Sequence, residues 1–201
     1  MCLVTSIVVA CGGRSSESRR DSAAEIGKKY GMVPYLLRTN AFGLAGFTRL
    51  ASRATNGELT IYIEGDGLAW LDRYTISKDP TPINPLALKL AARDPSKNIA
   101  YLARPCQFVD LAREINCHEG YWTDQRYSED VVFSMNAAVS KLKARSGAVN
   151  LHLVGYSGGA AIAVLIASRR KDVLSIRTVA GNLDPVSLFK AKNVTPLYGS
   201  L

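Results

Sequence analysis

Residues 149–180 constrain the fold more than any other part of the chain. The apolar run Leu151-His-Leu-Val154 leads through a glycine-flanked serine into Ala160-Ala-Ile-Ala-Val-Leu-Ile-Ala167, and residues 176–180 turn β-branched and apolar again. The pattern predicts a strand over 149–154, a helix over 158–170 and a strand over 176–180. Two strands joined through a helix run parallel, since antiparallel neighbours can be joined by a short hairpin. The expected architecture is therefore α/β, a mostly parallel sheet with helices on both faces and ligands at the carboxyl ends of its strands.

The upstream chain supports this reading. Residues 33–39 and 44–50 read as two early strands in a hairpin, with Gly43 and Gly46 loosening the connection. Residues 59–63, Leu-Thr-Ile-Tyr-Ile, form a third strand stopped by Glu64-Gly-Asp-Gly67. Asn84-Pro85 opens a short helix, residues 99–102 make the fourth strand, and Ser128 with Glu129 and Asp130 starts a helix whose apolar face runs to Leu142. With 201 residues, 47% of them hydrophobic and only 21% charged, one domain with a sizeable core is expected. The net charge of +8 is scattered, without a long basic tract. A solvated surface ranks first as its meaning, attraction to an anionic membrane second, and no nucleic-acid partner is expected.

Gly155-Tyr-Ser-Gly-Gly159 fits the pattern G-x-S-x-G in a strand-turn-helix setting. A serine held on so tight a turn exposes its hydroxyl, and the chain on either side runs too close for a Cβ, which glycine relieves. Ser157 is the candidate nucleophile. Gly158 places its N–H at a helix start, where the dipole favours an oxyanion. An ordinary serine in a glycine-rich turn is the competing reading.

These features together resemble the α/β-hydrolase superfamily. The runs Ile61-Tyr-Ile-Glu-Gly-Asp-Gly-Leu-Ala-Trp70, Ala103-Arg-Pro-Cys-Gln107, Tyr121-Trp-Thr123 and Gly155-Tyr-Ser-Gly-Gly159 look like a group of bacterial serine hydrolases, many of them predicted lipoproteins. The resemblance implies acyl transfer to serine from a small ester substrate, followed by hydrolysis, with no cofactor and no metal. It also implies a second oxyanion donor after the third strand, the backbone N–H of Asp66. A plain turn is the alternative there. Asp184, in Ala180-Gly-Asn-Leu-Asp-Pro185, has a setting similar to the catalytic acid of pancreatic-type lipases, against a turn-forming Asp-Pro.

The triad order of the superfamily, serine then acid then histidine, is not met within these residues. His118 and His152 are the two histidines and both precede Ser157. His152 lies on the serine's own strand, roughly 16 Å away at about 3.3 Å per residue, and reads as a sheet residue. His118 falls in the loop after the fourth strand and reads as a surface histidine. The chain is expected to lack the last strands of the fold, which makes activity doubtful. A non-catalytic envelope lipoprotein or binding module of the same fold, or an inactive gene fragment, is the alternative function.

Residues 1–11, ending Val8-Val-Ala-Cys11, resemble the lipobox of bacterial lipoprotein signals, which implies acylation of Cys11 and membrane anchoring. An apolar N-terminal strand competes, since the basic n-region is missing. Residues 12–32 read as a polar tether and 33–201 as the hydrolase domain. The implied location is the envelope or periplasm, with the cytoplasm as alternative. Cys106 and Cys117 close a short loop and read either as a disulfide, which an oxidising compartment permits, or as two buried thiols.

Overall fold

In the computed structural model, residues 15–51, 57–181 and 183–184 are described. The expected signal segment and Cys11 lie outside them. Six strands form one sheet: β1 Val33–Arg38, β2 Gly43–Arg49, β3 Glu58–Ile63, β4 Ile99–Leu102, β5 Asn150–Tyr156 and β6 Val173–Val179. Their order is β1-β2-β4-β3-β5-β6. β1 and β2 form the expected hairpin, β2 is antiparallel to β4, and β3, β4, β5 and β6 are mutually parallel neighbours. The mostly parallel sheet is the one that the sequence pattern predicts, and it matches the general α/β-hydrolase topology that the resemblance implies.

The strand period of two sorts side chains between two cores. Leu59, Ile61, Ile63, Ala100, Leu102, Leu151 and Leu153 share one face with α3 (Glu129–Ser146) and α4 (Gly158–Ala167). Tyr62, Ile99, Tyr101 and Val154 share the other with α2 (Leu86–Arg93) and Ala23 of α1 (Ser16–Lys29). Because both faces are covered, β3 and β4 read as unbroken apolar runs instead of alternating ones. Val131, Val132, Met135, Ala138, Val139 and Leu142 of α3 are buried. At about 1.5–3 kcal/mol for each large side chain, that stripe holds the helix to the sheet. Gly147, with φ 68°, ends it in the left-handed conformation.

The expected tether over 12–32 is corrected in part. Ser16–Lys29 is a helix, α1, whose first turn is capped by the Ser15 hydroxyl accepting from the Ser18 N–H at 3.2 Å. Its buried stripe is Arg19, Ala23 and Gly27. A Cβ on Gly27 would lie 2.6 Å from the Phe47 ring, and Arg19 pairs with Asp79 at 3.5 Å. Two small residues and a paired arginine dock this helix, so no hydrophobic periodicity advertises it. Smaller differences concern ends. α2 starts at Leu86 with Pro85 at its cap, α4 stops at Ala167, and β6 begins three residues earlier than the apolar pattern indicates.

Candidate functional site

β5 ends at Tyr156 and α4 begins at Gly158, so Ser157 is the whole turn between them. Its backbone sits at φ 50° and ψ −121°, a conformation that is comfortable for glycine and costly for a residue with a Cβ. The turn is closed from both sides. The Ser157 N–H donates to the Val179 carbonyl at 2.9 Å, and its carbonyl accepts from the Ala160 N–H at 3.0 Å. A Cβ on Gly155 would lie 2.4 Å from Ala160 Cα, and one on Gly159 would lie 2.4 Å from the Glu64 carbonyl oxygen. Both glycines are thus required by backbone proximity.

The loop after β3 lies against this turn. A Cβ on Gly65 would be 3.2 Å from Ser157 Cβ, and one on Gly158 would be 2.1 Å from Asp66 Oδ1. Ser157, Asp66, Leu68, Pro82, Ile83 and Tyr156 border a cleft of about 270 Å³. The Asp66 carboxylate rests over Gly158 and is held by Arg104 Nη1 at 3.1 Å and Arg126 Nε at 3.3 Å. Arg104 is buried, and both guanidinium groups lie over the Tyr127 ring, at 5.5 and 5.2 Å. Burial lowers the Arg104 pKa, and the neighbouring Asp66 charge opposes that shift. Gln107 braces the same loop, donating from Nε2 to the Gly65 carbonyl at 3.0 Å. The left-handed Gly67, whose Cβ would strike the Pro80 oxygen at 2.0 Å, lets Leu68 N–H reach that oxygen at 3.0 Å.

Glu64 is the other charged group of the loop and is buried. Its Oε1 accepts from the Gly65 N–H at 3.0 Å and the Ala87 N–H at 3.4 Å, and its Oε2 from the Tyr101 hydroxyl at 3.1 Å. The carboxylate therefore caps the first turn of α2 while tying down the start of the loop after β3. Burial raises its pKa to about 6, against the pull of those hydrogen bonds.

The structure brings Ser157, Gly158 and Asp66 together. Asp184 is exposed and follows β6 at the same end of the sheet, past Gly181, which runs beside Ala160. The two histidines have other surroundings. His152 Nδ1 lies 2.7 Å from Ser175 Oγ, and its Nε2 lies 3.4 Å from Glu58 Oε2. His118 stacks on Tyr121, with ring centroids 4.2 Å apart. Asp172, at the opposite end of the sheet, is held far below the usual carboxylate range by Arg170 and Lys143. Cys106 and Cys117 are disulfide-bonded. Their loop carries Gln107 and follows Arg104, so the bridge closes the segment that supports residues 65–66. Arg104, Gln107 and Arg126 carry no individual signal in the sequence that marks them as supports of this turn. For Glu64 the one signal is a charge directly continuing the apolar strand 59–63.

Fold and turn together define an α/β-hydrolase-type topology with Ser157 at the turn between β5 and α4. No family model matches the chain, and no curated protein matches it in sequence. Among solved structures, a membrane phospholipase A described as a bacterial virulence factor is 21% identical over 83% of this chain and 45% of its own, with a TM-score of 0.47. An esterase is 14% identical over 84% of this chain and 46% of its own, with a TM-score of 0.49. A dienelactone hydrolase-like promiscuous phosphotriesterase from metagenomic libraries is 17% identical over 77% and 60%, with a TM-score of 0.43. The chain spans about half the length of the first two of these structures.

Proposed function

We propose that this chain belongs to the α/β-hydrolase superfamily and is a serine hydrolase acting on small esters. The observation that carries the reading is the backbone of Ser157, a residue with a Cβ kept at φ 50° between two glycines that backbone atoms crowd. Strain of this kind persists where the surroundings enforce it, and it gathers at functional sites. In the proposed reaction the Ser157 Oγ attacks the ester carbonyl carbon and loses its proton to a base. The carbonyl oxygen takes up the negative charge facing the N–H groups of Gly158 and Asp66. The tetrahedral species then collapses as the base returns its proton to the departing alkoxide, and water attacks the acyl-serine, releasing the acid and restoring the Ser157 hydroxyl. Asp184 is the proposed acid, and no cofactor enters the scheme. The same reading places the chain in a bacterial envelope, anchored through acylated Cys11.

A fluorophosphonate probe tests the nucleophile. Covalent labelling of the folded chain that Ser157→Ala abolishes is the expected result, and absence of labelling would remove the activated serine. A second reading, a binding module that keeps the fold without turnover, is favoured by the surroundings of the histidines, with His152 in the sheet and His118 stacked on Tyr121. It predicts ligand binding in the cleft with negligible hydrolysis of p-nitrophenyl esters. Turnover that Ser157→Ala removes would exclude it.

A further inference from the structure

The loop that leaves the serine cleft carries large apolar side chains on its outer side. After Leu68 and Ala69, Trp70 and Ile76 form an isolated antiparallel bridge. The Leu71 N–H donates to the Thr75 carbonyl at 2.8 Å, and the Ser77 N–H donates to the Ala69 carbonyl at 3.0 Å. At the tip, Asp72 Oδ1 accepts from the N–H groups of Tyr74 and Thr75, both at 2.8 Å. These bonds make the loop a defined finger. On it Trp70 is 45% exposed, Leu71 59% and Tyr74 82%, and Ile83 on the rim of the cleft is 48% exposed.

Single exposed apolar residues are ordinary on a protein surface, whereas several beside one cleft mark a site of contact. The chemistry of the finger selects the partner. Trp and Tyr have an apolar body and a polar edge, the combination that settles at the level of lipid headgroups. Arg73 lies over the Tyr74 ring at 5.6 Å, so a cation sits beside the aromatic tip. The Asp72 carboxylate is turned to backbone N–H groups, and Lys78 is exposed at the base of the finger. Arg73 and Lys78 outnumber Asp72 among these exposed charges, and the chain as a whole carries +8, so the net attraction is to an anionic surface.

We propose that the 70–76 loop, together with Ile83, docks the chain onto an anionic lipid bilayer, so that the Ser157 cleft opens toward the membrane. Docking stands without any chemistry at Ser157. Presentation of a lipid ester to that serine rests on the hydrolase reading above, and Ser157→Ala must bind vesicles as the parent does.

Intrinsic fluorescence of the full chain tests the proposal. The sequence has two tryptophans, and Trp122 is buried with its indole N–H on the Ser77 carbonyl at 3.0 Å, so a lipid-induced change reports Trp70. Vesicles of mixed phosphatidylglycerol and phosphatidylcholine should shift the Trp70 emission to the blue, and brominated lipid should quench it. Leu71→Ser combined with Tyr74→Ser should weaken partitioning roughly tenfold or more. Arg73→Glu should weaken it on the order of tenfold on anionic vesicles and little on neutral ones. All these side chains are exposed, and unchanged Trp122 emission verifies that the variants fold. The proposal is overturned if the chain ignores the vesicles, or if it sediments with them while Trp70 stays in water. It is also overturned if light scattering finds a dimer that Leu71→Ser dissociates, since a second copy would then cover the finger.

Discussion

Replacing Ser157 by glycine should make the protein more stable while removing the hydroxyl on which the proposed chemistry depends. The present backbone, φ 50° and ψ −121°, places Cβ in steric conflict that glycine does not have. Strain in such regions is worth about 1–3 kcal/mol per residue. Glycine returns about 0.5–1 kcal/mol of that through the larger entropy of its unfolded backbone. The expected net gain is about 0.5–2 kcal/mol, equivalent to a rise in melting temperature of roughly 1–8 °C for a chain of this size. Ser157→Ala is the necessary control, because alanine keeps the Cβ and therefore the strain. It should stay within about 0.5 kcal/mol of the parent. Urea denaturation with the Cys106–Cys117 bridge intact, following tryptophan emission, compares the three proteins. Equal midpoints for Ser157→Gly and Ser157→Ala would show that the turn is not strained, and the argument from strain to function would go with it.

Three further perturbations follow from the geometry. Gly159→Ala would push a methyl group to 2.4 Å from the Glu64 oxygen and 2.5 Å from that of Ile63, both backbone atoms. Such overpacking should cost about 1–3 kcal/mol and slow fluorophosphonate labelling at least tenfold, whereas Gly31→Ala, with open space around it but a φ of 66°, should cost about 1–2 kcal/mol and leave labelling unchanged. Glu64, raised from 4.5 to about 6, binds its proton more tightly when folded, so its contribution to stability is complete below pH 4.5 and lost as pH rises through about 6. That contribution is roughly 2 kcal/mol by the shift, and Glu64→Gln should remove it from the difference in urea midpoint between pH 4.5 and pH 7. An unaltered difference would show that another group titrates there. Arg104→Met leaves Asp66 with Arg126 alone in a largely buried setting. A loss of about 3 kcal/mol is expected in the same denaturation assay, and a neutral result would mean the ion network carries no weight in the fold.

Much of the fold was legible because its signals are local. The strand 59–63, the strand 99–102 and the apolar face of 129–146 are each declared by neighbouring residues, and the sheet follows from how helices must join parallel strands. The glycines of the serine turn are legible for the same reason, since a backbone bend leaves its mark within five consecutive positions. Helix α1 was missed on equally physical grounds. Its contact with the core runs through Ala23, Gly27 and the paired Arg19, so burial there is gained by close approach and ion pairing, and hydropathy records neither.

The supports of the site lie beyond that reach because they are long-range. Asp66 meets Arg104 across 38 positions, and Gln107 meets the Gly65 carbonyl across 42. No periodicity links such residues, and each alone passes for a surface charge or a loop amide. Only the parallel register of β3 with β4, which sets Ile63 beside Leu102, brings the loops after both strands to one end of the sheet. The Asp66 carboxylate then lies over the very glycine whose N–H is proposed to hold the oxyanion. A lone carboxylate there would oppose the developing negative charge. Two guanidinium groups on Asp66 cancel its charge and that of Glu64 on the same loop, which is ionised above its raised pKa of about 6. That balance links the illegible part of the site to the legible one: the glycines shape the turn, and the arginines offset the carboxylate that lies against it.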